Sequence, residues 1–220
     1  MLIKIQFIFA AFLRKFGKHA FILSITKKSV VLDVGCGNNS PFKVKTVLPD
    51  SKYTGVDIGD YNQSKVNLAD SYILTTPAKF SETIVELGQK FDAVICSHNL
   101  EHCNDRDATF LAILSSVRKG GRIYLSFPCS ESVTYPKRLG TLNYFDDKTH
   151  VGTPPDFQKI RKLLIHSGYE LTVEIPNYRP LILRSLGWVL EPISAIKQKV
   201  LRGTWEFYGF ESIIWAKKVK

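Results

Sequence analysis

The sequence predicts an α/β fold built on a mostly parallel sheet. Three observations carry this. Strand-like and helix-like segments alternate along most of the chain. The first apolar, β-branched run, Val30-Val31-Leu32-Asp33-Val34, ends in a turn with two glycines one residue apart, Gly35 and Gly37. The clearest later strand, 91–96, runs directly into Ser97-His98-Asn99-Leu100-Glu101-His102. Polar and ionisable side chains are thus crowded at a strand's carboxyl end, where parallel sheets bind ligands.

The glycine turn is not a dinucleotide fingerprint. Such a fingerprint carries a third glycine that opens a helix toward a pyrophosphate. Here Ser40 takes that position, and the carboxylate of Asp33 precedes the first glycine. The charge suits a cationic or amine-bearing ligand and repels phosphate.

The 220 residues fit one domain with an appendage. A hydrophobic content of 45% and a charged content of 23% are those of a globular protein. The net charge of +10 points to an anionic partner: nucleic acid, acidic lipid or an acidic substrate. The four cysteines, Cys36, Cys96, Cys103 and Cys129, form no C-x-x-C pair and match no common zinc spacing. They read as reduced structural thiols of a cytosolic protein.

Taken in order, residues 1–28 form a basic, aromatic-rich helical segment without an acidic residue. Its apolar run, 7–13, is far shorter than the ~20 residues of a spanning helix. Two readings stand: a helix lying on an anionic membrane surface, or a helix that packs on the domain that starts at 29 or covers its ligand. After the strand at 30–34, a short helix fits 42–48, and 52–58 is the second strand, closing on Asp57 and Ile58. A third strand falls at 65–68 or 72–74, with Asp70 between them, and a helix is expected over 81–89. Asp105 or Asn104 caps a helix over 106–118, which Gly120-Gly121 stops. A strand at 122–127 follows. The connection 129–153 holds Tyr135, Tyr144, Phe145, Asp147 and His150, and its aromatics argue for order. Thr153-Pro154-Pro155-Asp156 predicts a helix start with Thr153 as cap and Pro154 in the first turn. A strand at 169–175, an apolar and basic insertion at 177–207, and a last strand at 211–218 complete the chain.

Val31-Leu32-Asp33-Val34-Gly35-Cys36-Gly37, Gly55-Val56-Asp57, Phe91-Asp92-Ala93-Val94 leading to Leu100-Glu101-His102, and Lys119-Gly120-Gly121 together resemble class I S-adenosylmethionine-dependent methyltransferases. The likeness is to the small-molecule branch with a "LEH" sequence after strand four, over about 29–175. It implies a Rossmann-like seven-stranded sheet with an antiparallel last strand, helices on both faces, and S-adenosylmethionine as cofactor. At matching positions it implies that Gly35, Cys36 and Gly37 bend around the methionine part. Asp33 holds the amino end, directly or through water, and Asp57 with Ile58 meets the ribose. Ser97, His98 and Asn99 lie beside the sulfonium and adenosine, and Asp70 meets the adenine. Members usually carry a further glycine near Asn39, and an Asn can take the same positive φ. Asp147-Lys148-Thr149-His150-Val151 resembles members associated with cell-surface glycan biosynthesis.

Methyl transfer from a sulfonium is an in-line displacement that needs alignment and a dry site. A hydroxyl acceptor also needs a base, and His150, then His102, are the candidates. Glu101 with His102 is a partial metal-ligand pair, and its spacing alone supplies no full set, so no metal is assigned. The leading function is O-methylation of a small or lipid-linked sugar by a cytoplasmic enzyme at the inner face of an anionic membrane. The alternatives are a nucleic-acid methyltransferase, which lacks the Asn/Asp-Pro-Pro-aromatic sequence after strand four, and an inactive cofactor-binding scaffold.

Overall fold

The computed structural model describes residues 2–37, 39–60 and 64–220. Asn38, part of the turn discussed above, lies outside them. The strands are β1 (Val30–Val34), β2 (Lys52–Asp57), β3 (Ser71–Leu74), β4 (Phe91–Ser97), β5 (Val117–Pro128), β6 (Tyr169–Ile175) and β7 (Glu211–Lys218). They form one sheet of order β3-β2-β1-β4-β5-β7-β6. β1 to β5 pair in parallel, and β7 runs antiparallel to both β5 and β6. The expected seven-stranded architecture with an antiparallel last strand is present, and 72–74 is the third strand.

Alternation along the strands sorts two cores. Leu32, Val34, Val94 and Cys96 face one side and pack on α4 (Phe80–Glu86), α5 (Arg106–Ser116) and α6 (Phe157–His166) through Ile84, Phe110, Ile113, Ile160 and Leu164. Val31, Tyr53, Ala93, Ile95, Tyr124 and Ile213 face the other. There they meet Phe7 of α1 (Leu2–Leu13), Phe21 and Ile22 of α2 (Lys18–Leu23), and Val44 of α3 (Ser40–Val47). The N-terminal segment therefore packs on the sheet's second face. It does so with one stripe only: Ile5, Ile8, Phe9 and Phe12, spaced i, i+3, i+4, i+7, are exposed.

Two local expectations change. The helix expected at Pro154 begins at Phe157, and Asp156 is its cap, accepting from the N–H groups of Gln158 (2.8 Å) and Lys159 (3.0 Å). Pro155 disfavours helical backbone at Pro154, so the pair stays extended and the start moves on. Gly120-Gly121 does not stop α5. β5 begins at Val117, and residues 118–121 bulge opposite the single residue 92, with Gly120 at φ 79°. A Cβ on Gly121 would come within 2.8 Å of the Phe91 carbonyl, so the bulge needs its glycines.

The connection 129–153 is ordered by specific bonds. Asn143 and Asp146 form a capping box over the short turn Tyr144–Asp146. Arg138 makes a bidentate pair with Glu191 (2.6 and 2.8 Å) of α7 (Leu181–Lys197). Tyr208, the last residue of α8 (Thr204–Tyr208), donates to the same carboxylate at 2.6 Å. The insertion is thus a helical cap, joined to the sheet through this connection. Among the described residues no helix is long and apolar enough to cross a membrane.

Candidate active site

The carboxyl ends of β1, β2 and β4 meet as the sequence predicts. Gly35 has φ +68°, and a Cβ there would lie 2.3 Å from Asn99 Nδ2, so the glycine turn is seated against the end of β4. Asn39 has φ 60° and precedes α3, making with an asparagine the left-handed step expected of a glycine. Cys36 is fully buried, and its Sγ would be 2.6 Å from a Cβ on Gly55, which is why β2 carries a glycine there.

Asp33 is 0% exposed. It accepts from Ser40 Oγ (2.6 Å) and Tyr53 Oη (2.9 Å), and Lys18 Nζ sits 3.2 Å away. Lys18 also donates to Ser40 Oγ at 3.0 Å. Its ammonium occupies the place of a ligand amine, and it separates Asp33 from the open cleft. Asp57 is buried at the end of β2 and receives the N–H groups of Ile58 (2.8 Å) and Gly37. Burial raises its pKa, and those N–H groups oppose the rise.

Three adjoining clefts surround these groups. One, of about 350 Å³, is lined by Gly35, Gly37, Ser40, Lys18 and His98. A second, of about 550 Å³, is lined by Ile58, Asn99, His102 and the segment Thr76-Pro77-Ala78 that follows β3. A third, of about 380 Å³, lies under α1 and α8, with Leu13, Arg14, Leu183, Arg202 and Trp205 on its walls. The first and third share Lys18, His19, Ser97, His98 and Trp205, so they communicate at the end of β4.

His98 is the hub. Its φ of 50° is left-handed, a strained backbone of the kind found at working sites. Nδ1 bonds Glu101 at 2.9 Å and Nε2 bonds Glu211 at 3.1 Å. Burial lowers the His98 pKa, but the two carboxylates overcome it and lift it to about 10, so the ring is an imidazolium. Arg14 of α1 pairs with both Glu211 and Glu206 (3.2 Å to the latter), which ties the N-terminal helix to the rim. Against its burial, Arg14 and His98 hold the Glu211 pKa down at about 2. His19 lines the shared region, and burial, with Lys18, Lys43 and Arg14 nearby, lowers its pKa to about 4.

The structure thus brings together Asp33, Gly35, Cys36, Gly37, Asp57, Ile58, Ser97, His98 and Asn99. Asp70 stands apart. It precedes the amino end of β3, accepts from Tyr53 N (2.7 Å) and Lys45 Nζ (2.9 Å), and is at the opposite edge of the sheet from the clefts. The carboxyl end of β3 supplies Thr76-Pro77-Ala78 instead. His150 lines none of the three clefts. Its ring is stacked on Tyr144 (4.4 Å between centroids), and its Nδ1 donates to the Tyr144 carbonyl at 2.6 Å. His102 borders the cleft beyond Asn99, away from the third cleft. Sequence reasoning missed Lys18, His19, Arg14 and Trp205, which come from the two segments that carry no motif, and Glu211, the first residue of β7.

A family profile described as a methyltransferase domain matches residues 8–174. An uncharacterised protein of Methanocaldococcus jannaschii is 32% identical over 111 residues, 47% of this chain and 30% of that protein. The match therefore spans about a third of that relative's length. Solved structures share the fold. A SAM-dependent methyltransferase from Archaeoglobus fulgidus superposes with TM-score 0.56 at 17% identity over 96% of this chain and 99% of that one. The 1,6-didemethyltoxoflavin-N1-methyltransferase of Burkholderia thailandensis, with S-adenosylhomocysteine bound, gives 0.51 at 14% identity over 88% and 72%. A buried carboxylate beneath an ammonium, a glycine turn against Asn99 and the Asp57 carboxylate at the end of β2 fit a ligand with an amino-acid end and a ribose. By sequence profile the chain belongs to the methyltransferase-domain family, and its fold is the one shared by the S-adenosylmethionine-dependent methyltransferases it resembles.

Proposed function

We propose that this chain methylates an oxygen of a small or lipid-linked sugar at an anionic membrane surface. The observation that carries the reading is the third cleft and its roof. The cleft adjoins the glycine-turn site at His98 and is walled by α1, α7 and α8. Both long roofing helices keep an apolar stripe outward: Ile5, Ile8, Phe9 and Phe12 on α1, and Ile182, Trp188, Val189, Ile193 and Ile196 on α7. Lys4, Lys15, Arg184, Lys197, Lys199 and Arg202, all exposed, surround them. Apolar stripes edged with cations suit an anionic lipid surface and an acceptor that reaches the cleft from it.

The cofactor supplies an electrophilic methyl group. Asp57 would receive the ribose hydroxyls, Lys18 would face the carboxylate of the amino-acid end, and Trp205 with Leu13 and Leu183 would exclude water around the acceptor. His98, protonated between two carboxylates, cannot accept a proton. His19 lines both communicating clefts and is uncharged at neutral pH, so it adds no cation beside the acceptor, and with a pKa of about 4 it is too weak a base to take the acceptor's proton. Asn39 takes the left-handed backbone expected of a glycine there, which speaks against the inactive-scaffold reading. Against the nucleic-acid alternative, Ser97-His98-Asn99-Leu100 stands where an Asn/Asp-Pro-Pro-aromatic sequence would follow β4.

The experiment is transfer of labelled methyl from S-adenosylmethionine to lipid-linked sugars, soluble sugars and RNA, with and without phosphatidylglycerol vesicles. Vesicle-stimulated label on a sugar oxygen is expected. Label on RNA alone, or on no acceptor, contradicts the reading.

A further inference from the structure

Glu101, His102 and His150 come together from two distant places in the chain. The short helical turn after β4 carries Glu101 and His102, and the ordered connection after β5 carries His150. One ligand-competent atom of each lies within 4.8 Å of the others. Glu101 is fully buried. Its Oε1 is taken by His98, and its Oε2 has no hydrogen-bond partner among the described residues. A buried carboxylate oxygen without a partner is costly and calls for a cation or a donor.

The two rings are oriented to supply lone pairs. Thr149 Oγ1 donates to Asp147 Oδ1 at 2.6 Å, so toward His102 Nδ1, 2.9 Å away, it acts as acceptor. His102 therefore carries its proton on Nδ1. His150 Nδ1 donates to the Tyr144 carbonyl at 2.6 Å and carries its proton there too. Both Nε2 atoms are left as lone pairs, and each opposite N–H is held by an oxygen. This is the outer-shell arrangement that fixes imidazole tautomers at metal centres. The ring centroids lie 4.9 Å apart, so the two ligands converge.

We propose that Glu101 Oε2 and the Nε2 atoms of His102 and His150 bind one divalent transition-metal ion. Two imidazoles and a carboxylate suit zinc, cobalt, manganese or ferrous ions. Three protein ligands leave a coordination position for water or a substrate oxygen. His102 borders the cleft lined by Asn99 and Asn104, which gives the ion an entry path. Bound there, the ion would fix Glu101, and through Glu101 the His98 hub, and would pin the connection at 147–151 to the end of β4.

The test is a titration of chelator-treated, otherwise intact protein with cobalt(II), read by visible absorption, with zinc competition and equilibrium dialysis for stoichiometry. One ion per chain is expected, with a visible band that zinc removes. His102→Ala and His150→Ala should each weaken binding by at least about 100-fold, the scale of losing a ligand or its support. Cys103→Ser should leave binding unchanged. Absence of a stoichiometric ion in the wild type overturns the proposal. So does undiminished affinity in either histidine variant, or loss of the ion in Cys103→Ser. His102 is partly exposed, so its variant decides the matter if His150→Ala does not fold.

Discussion

Lys18 shows how one side chain can set the character of a binding site. Its ammonium is 3.2 Å from the Asp33 carboxylate and faces the cleft at Gly35 and Gly37. A ligand with an amino-acid end must meet this cation before it meets Asp33. Losing a charge-assisted hydrogen bond costs about 1.5–3 kcal/mol, or roughly 10–100-fold in affinity. Lys18→Met should weaken S-adenosylhomocysteine by that factor in calorimetry and leave 5′-methylthioadenosine, which lacks the amino-acid end, within about twofold. Equal loss for both would show that Lys18 acts on folding and not on that end. His19, its neighbour, provides a pH signature. Its folded pKa, about 4, lies below the ordinary 6.5, so the folded protein refuses a proton that the unfolded chain accepts. Its contribution to stability is complete above pH 6.5 and is lost as pH falls toward 4. The urea midpoint should drop over that window, and His19→Gln should flatten the drop. Glu211, held at about 2, acts only below pH 4.5.

Elements were legible where their signal was local. β1, β2 and β4 announced themselves by apolar runs ending in ligand-type residues, and Asp57 and His98 followed from those ends. Where the outcome depended on a neighbour, the reading slipped. Pro154 looked like a first-turn proline until Pro155 held it extended. Gly120-Gly121 looked like a helix stop, but the close approach of Phe91 requires them in a strand bulge. Asp70 stood between two candidate third strands and precedes the real one, because the short β3 leaves little periodicity to read. The insertion's packing was illegible for the same reason. Within it, α7 crosses the turn before α8 so closely that a Cβ on Gly187 would lie 1.9 Å from the Gly203 carbonyl. Gly187→Ala should destabilise the protein by about 2–3 kcal/mol in urea melts, the range of core overpacking. A change under ~0.5 kcal/mol would mean that α7 is free to shift.

At the scale of the whole molecule, two helices that wall one cleft each leave large apolar side chains exposed. Phe12 is 70% exposed, Trp188 69% and Ile196 84%, on two helices that wall the same cleft. The net charge of +10 adds long-range attraction to an anionic surface. Phe9→Glu combined with Phe12→Glu and Trp188→Glu should reduce co-sedimentation with phosphatidylglycerol vesicles at least about tenfold, with the far-ultraviolet dichroism unchanged. Unchanged partition would remove the membrane from the account. The sequence raised two readings for the N-terminal segment, packing on the domain and lying on a membrane, and the helix carries a face for each: Phe7 and Ala11 inward, Phe9 and Phe12 outward. Both faces, and the whole acceptor side, depend on the methyl-donor site at the end of β1. That site is tested most directly by calorimetric titration of S-adenosylhomocysteine into the wild type and into Gly35→Val, whose Cβ would fall 2.3 Å from Asn99 Nδ2. The prediction is one site per chain in the wild type and no measurable binding in the folded variant. No heat in the wild type, or equal affinity in Gly35→Val, would contradict it.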